Sequence, residues 1–81
     1  MDKLDYAILE IMIKKCGAVT KLSAATRKNI QSEMDISLAS LYGRLTKLIN
    51  AQCLANGIRE FNSLTYYVTE KGAQTLEEAK N

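Results

Sequence analysis

The chain has 81 residues, 47% of them hydrophobic and 25% charged, which are the proportions of one compact globular domain spanning residues 1–81. It contains no His, no Trp and no Pro, which excludes a Ser-His-Asp triad, a Cys-His dyad and any His-bearing zinc site. No set of nucleophile, base and metal ligands can be assembled, so no enzyme, no metal and no cofactor are expected.

The first segment, residues 4–16, reads as a helix stopped by Gly17. Leu4, Ile8, Ile11 and Met12 fall on one side of it, and Tyr6, Leu9 and Ile13 on the other. A helix apolar on two faces must bury both. One face is expected to meet the core, and Tyr6, Leu9 and Ile13 to meet a second copy of the chain in a homodimer. Residues 18–25 read as loop with room for a short strand. Thr26 is an N-cap for a short helix over residues 27–34, and Asp35-Ile36-Ser37 is a turn in which Ser37 caps a longer helix reaching about residue 52. Along that helix Leu38, Leu41, Leu45, Leu48 and Ile49 form an apolar stripe. Ser40, Gly43, Lys47 and Asn50 lie opposite, with Tyr42 and Arg44 at the flanks. Residues 54–61 and 64–69 read as strands of a hairpin turning at Asn62-Ser63, and Thr69 caps a last helix over residues 70–79.

Charge is unevenly placed although its sum is only +2. Residues 17–50 carry Lys21, Arg27, Lys28, Arg44 and Lys47 against Glu33 and Asp35, a net +3, while the flanking segments are neutral or acidic. Cys16 and Cys53 belong to no CxxC pair and read as small buried hydrophobes of a reducing compartment. The apolar runs are too short to span a bilayer, and the first residues lack the layout of a signal peptide. A cytoplasmic protein with no membrane partner is the expectation.

Short helix, turn, longer helix and hairpin outline an α+β, mainly α, winged helix-turn-helix: three helices, a two-stranded wing and a C-terminal helix. The use of such a layout follows from dimensions. A helix with a slim outer face of Ala39, Ser40 and Gly43, flanked by Arg44 and Lys47, fits a major groove about 12 Å wide. Thr26, Arg27 and Lys28 open the first motif helix, where N–H groups and positive charge suit a phosphate. Tyr66 and Tyr67 read as hairpin packing.

The run Ile36 to Leu48, with its Leu41-Tyr42 pair followed by Leu45 and Leu48, resembles the recognition helix of PadR-like transcriptional regulators. Tyr66, Thr69 and Gly72 resemble the Tyr-x-x-Thr-x-x-Gly segment that closes the wing in PadR-like and MarR-like proteins. The expected DNA-binding set is Thr26, Arg27, Lys28, Ser37, Ser40, Tyr42, Gly43, Arg44, Lys47 and Arg59, and the resemblance implies that Tyr42 reaches the DNA backbone. The chain departs from the pattern at Gln52-Cys53, where Gly is usual, and at Glu60-Phe61-Asn62-Ser63, where the wing tip is usually basic and Gly-rich. Arg59 is then the only cation of the wing. The expectation is sequence-specific binding of double-stranded DNA by a homodimeric transcriptional regulator. A centromere-binding adaptor for plasmid or phage segregation and a protein-interaction module that binds no DNA are the alternatives.

Overall fold

The computed structural model describes residues 1–80. The elements are α1 (Lys3–Lys14), β1 (Ala25–Thr26), α2 (Arg27–Gln31), α3 (Leu38–Asn50), β2 (Leu54–Asn56), β3 (Thr65–Val68) and α4 (Glu70–Lys80). The expected helix-turn-helix, wing and final helix are all present. The short strand left open before residue 26 is β1, which joins the hairpin to make an antiparallel sheet of order β1-β3-β2.

Helix α1 starts in a capping box. The Asp2 carboxylate accepts from the Asp5 amide at 3.1 Å, and the Asp5 carboxylate accepts from the Asp2 amide at 3.2 Å. At the other end Gly17 adopts φ +61°, the left-handed region that ends a helix. The buried positions of α1 are Asp5, Ile8, Leu9 and Met12, a single stripe at i, i+3, i+4, i+7. This corrects the two-faced reading. Leu9 is 0% exposed within the chain's own core and offers nothing to a second copy, while Tyr6 and Ile13 are half-buried against the rim of that core.

Thr26 and Ser37 cap α2 and α3 as expected, their side chains accepting from the amides of Asn29 and Ser40. Helix α2 is shorter than the expected 27–34, because Glu33 and Met34 form i→i−3 bonds to Ile30 and Gln31 rather than helical ones. The Gln31 side-chain amide then ties the turn by donating to the Ile36 carbonyl at 3.0 Å. In α3 the centre of the stripe is realised: Leu41, Leu45 and Leu48 are each 0% exposed, packed with Ile30 of α2 and Ile8, Leu9 and Met12 of α1 in one core, whereas Ile49 is half-buried and Leu38, in the first turn of the helix, is exposed.

The α3 C-terminus explains the departure from the resembled pattern. Gln52 adopts φ +65°, the left-handed position that glycine fills at lower cost, and its carbonyl accepts from the Thr69 hydroxyl at 2.7 Å. That hydroxyl in turn accepts from the Gly72 amide at 3.0 Å, which caps α4. A Cβ at Gly72 would overlap the Cys53 carbonyl oxygen, so the Thr-x-x-Gly segment is a packing device that seats α4 on the end of α3.

The wing strands are shorter than expected, and a bulge sets their register. Pairing of β2 with β3 runs Leu54↔Val68, Ala55↔Tyr67 and Asn56↔Tyr66, then resumes only at Glu60↔Ser63. Three residues, 57–59, therefore face two, 64–65, and the extra residue is a bulge. The ladder is diverted there: the Ile58 amide donates to Lys21 at 3.2 Å, and the Thr65 hydroxyl donates to the Ile58 carbonyl at 2.7 Å. The turn lies at Phe61-Asn62 rather than Asn62-Ser63, closed by reciprocal Glu60 and Ser63 backbone bonds of 3.1 and 2.9 Å. Cys53 is buried and Cys16 half-buried, both as free thiols.

Candidate nucleic-acid interface

The outward side of α3 is built from what the core leaves over. With Leu41, Leu45 and Leu48 turned inward, Ala39, Ser40, Gly43, Thr46, Lys47 and Asn50 are exposed. Gly43 is open, for a Cβ added there meets nothing within 4 Å. Ser37 is held as the cap and sits exposed at the helix start. The result is a slim ridge that a groove can receive without steric conflict.

Its two flanks differ in charge. On one, Arg44 and Lys47 are engaged with the start of α1. Arg44 Nη1 donates to Asp2 Oδ1 and Oδ2 at 2.6 and 2.8 Å and to Asp5 Oδ1 at 3.1 Å, and Lys47 Nζ reaches Asp5 Oδ2 at 3.2 Å. Two cations and two carboxylates make a neutral cluster. Asp5 is 0% exposed there, whereas the Lys47 side chain remains 56% exposed.

Hydrogen bonds from Arg44 and from the Asp5 amide hold the Asp2 carboxyl down at about 2, from an ordinary 3.8. Burial pushes the Asp5 carboxyl up, but the bonds from the Asp2 amide, Lys47 and Arg44 outweigh it and leave it below the ordinary value. The same contacts, Asp2 first, push the Arg44 guanidinium up. No charge-bearing partner for Arg44 and Lys47 was foreseen in the sequence; the Asp2-x-x-Asp5 capping spacing was the available signal.

On the other flank Arg27 and Lys28 form no ion pair among the described residues. Arg27 lies over the Tyr42 ring, 4.8 Å from its centroid, and Tyr42 is 48% exposed. Arg27, Lys28 and Thr26 line a concave surface completed by Leu38 of α3 and by Asn62, Ser63 and Leu64 of the wing. Arg27 and Lys28 are the only charged residues of that lining. The Thr26 hydroxyl itself is occupied by the Asn29 capping box. Arg59 stands on the wing with its guanidinium on the Asn62 carbonyl at 3.4 Å.

Thr26, Arg27 and Lys28 thus line one concavity beside α3, with Arg27 over Tyr42, while Ser40, Gly43, Arg44 and Lys47 line the neighbouring surface toward the start of α1 and Ser37 is exposed at the start of α3. Arg44 and Lys47 are held there in the ion cluster, and Arg59 lies apart on the wing. Leu38, expected in the apolar stripe, instead lines the concavity of Arg27 and Lys28 from the first turn of α3, and Asn62, Ser63 and Leu64 reach it because bulge and turn decide where they face. Among the described residues no three or more His, Cys, Asp or Glu are placed to hold a metal ion, and no helix is long and apolar enough to cross a membrane.

No protein-family model and no curated protein matches the chain, so the PadR-like and MarR-like resemblance reduces to the winged helix. Solved structures do match. TubR from Bacillus megaterium pBM400 superposes with a TM-score of 0.84 at 22% identity, over 100% of this chain and 88% of that one. The DNA-binding TubR fragment from Clostridium botulinum gives 0.76 at 25% identity, over 98% and 96%. F93 from STIV, a winged-helix DNA-binding protein, gives 0.79 at 26% identity, over 99% and 86%. The chain has the α+β winged helix-turn-helix fold, with four helices and a hairpin wing, that these structures share.

Proposed function

We propose that the chain binds double-stranded DNA through the outer face of α3, as an adaptor that marks a centromere-like site for plasmid or phage segregation. The observation that carries DNA binding is the open ridge around Gly43, bordered by Lys47 on one side and by Arg27, Lys28 and Tyr42 on the other. A groove-sized ridge with cations at its borders suits base edges along its crest and phosphates beside it. The DNA-binding description of the Clostridium botulinum fragment and of F93 supports the same reading.

The segregation role is favoured over generic transcriptional regulation by the match of the chain to two TubR structures, at TM-scores of 0.84 and 0.76. Ser37, Ser40, Gly43 and Lys47 are assigned to the groove, Thr26, Arg27, Lys28 and Tyr42 to the backbone, and Arg59 to a minor wing contact. A homodimer would engage two half-sites about 34 Å apart.

Selection of bound duplexes from a random pool, followed by mapping of the recovered site in its genome, tests the proposal. Closely spaced repeats beside a gene for a segregation filament are expected. A lone inverted repeat over a promoter would return the role to transcriptional regulation, and failure to recover any duplex would leave a protein-interaction module.

A further inference from the structure

Phe61 is the only Phe of the chain, and it is 94% exposed at the tip of the wing. It takes no part in the hydrophobic core. Its backbone sits at φ +56° in the first of two turn residues, a position that hairpins normally give to Gly because an L side chain is strained there. Folding gains nothing from an aromatic ring at this position, neither burial nor backbone fit. The rest of the wing and the surface beside its turn indicate what the ring meets. Ile58 and Leu64 at the neck of the wing are 57% and 39% exposed. The concavity beside the turn, lined by Asn62, Ser63 and Leu64, has Arg27 and Lys28 as its only charges. Arg59 adds a third cation at the turn, against the single acid Glu60. An apolar knob among cations fits a polyanion that offers apolar slots, and stacked base pairs are such a surface.

We propose that Phe61 is a wedge that enters the minor groove and parts one base step while α3 occupies the adjacent major groove. The wedge rests on the DNA-binding reading. Partial unstacking of this kind bends the duplex, by about 20–90° in proteins that use apolar side chains in the same way, and so brings flanking phosphates toward Arg27, Lys28 and Arg59.

The test compares wild type with Phe61→Gly, whose backbone prefers the observed φ and which therefore keeps the turn, and with Phe61→Leu, which keeps an apolar wedge. The probe is a duplex of about 30 base pairs recovered by the wild-type protein from a random pool, with fluorophores at its two ends to report bending. The wild type and Phe61→Leu should bend it. Phe61→Gly, with an undiminished melting temperature, should bind about tenfold more weakly, as for one lost base–aromatic stack, and leave the duplex straight. If Phe61→Gly binds and bends like the wild type, the wedge is wrong and DNA binding stands. If Phe61→Gly lowers the sedimentation mass and leaves bending intact, the ring contacts protein and the wedge is likewise overturned. If the wild type recovers no duplex at all, the DNA reading falls and takes the wedge with it.

Discussion

Arg44 Nη1 grips both carboxylate oxygens of Asp2, at 2.6 and 2.8 Å, so the cation at the edge of the groove-facing helix is neutralised by the residue that caps α1. Asp2→Ala should free the guanidinium for phosphate and raise duplex affinity, steepening its salt dependence by about one unit of slope. Anisotropy titrations at several salt concentrations check this. An affinity unchanged at low salt would mean that Arg44 lies outside the DNA contact. Arg44→Ala should instead lower the melting temperature, because it leaves the buried Asp5 carboxylate with Lys47 as its only cationic partner.

The same cluster gives the fold an acid sensitivity. Asp2 is held at about 2 against an ordinary 3.8, and Asp5 is also held low. Stabilisation from carboxyls lowered on folding is complete above their unfolded values and disappears as pH falls through their folded ones. The melting temperature should therefore decline between about pH 4 and 2. Glu10, lowered by bonds from Lys14 and Lys80, works in the same direction, so the share of Asp2 is the difference between wild type and Asp2→Asn, whose decline should be shallower.

The interior of α3 supplies a stability prediction. Leu45 is 0% exposed at the centre of the stripe, and Leu45→Ala should cost about 2–5 kcal/mol in chemical denaturation. Gly72→Ala should also destabilise, by about 1–3 kcal/mol, because its Cβ would press on the Cys53 carbonyl. Gly43→Ala is the contrasting control: its Cβ meets nothing, and it should stabilise by up to about 1 kcal/mol.

These contrasts mark what was legible in the sequence. The stripe Leu41, Leu45, Leu48 and the caps Thr26, Ser37 and Thr69 were readable because helical period and capping are local. The α1 core face was not, because its centre is Asp5. A carboxylate amid Leu4, Ile8, Leu9, Met12 and Ile13 splits one broad apolar arc into two apparent faces, and only the cations Arg44 and Lys47, about 40 positions away, allow it to be buried. Wing register was hidden for a similar reason. The extra residue at 57–59 is fixed by the Ile58 bond to Lys21, which no pattern within the strand reveals. Tyr42 was legible as a flank residue but not as the support of Arg27.

Self-association is expected at the outer edge of α1, where Tyr6 and Ile13 are half-buried rather than wholly inside. Replacing both by Lys should halve the sedimentation mass while the melting temperature shows a folded chain. A mass identical to wild type would exclude that edge as the dimer contact, and a charge placed at Leu9 would be uninformative because Leu9 belongs to the core.

The central claim is that the ridge around Gly43 enters DNA, and Gly43→Glu tests it most directly. The added side chain starts where nothing lies within 4 Å and replaces the weakest helix former in α3 other than proline, so the fold should be as stable as before or slightly more so. A negative charge on the crest of the ridge should abolish retention of the selected duplex at every salt concentration. Duplex binding by Gly43→Glu equal to that of wild type, with an unaltered melting temperature, would contradict the account.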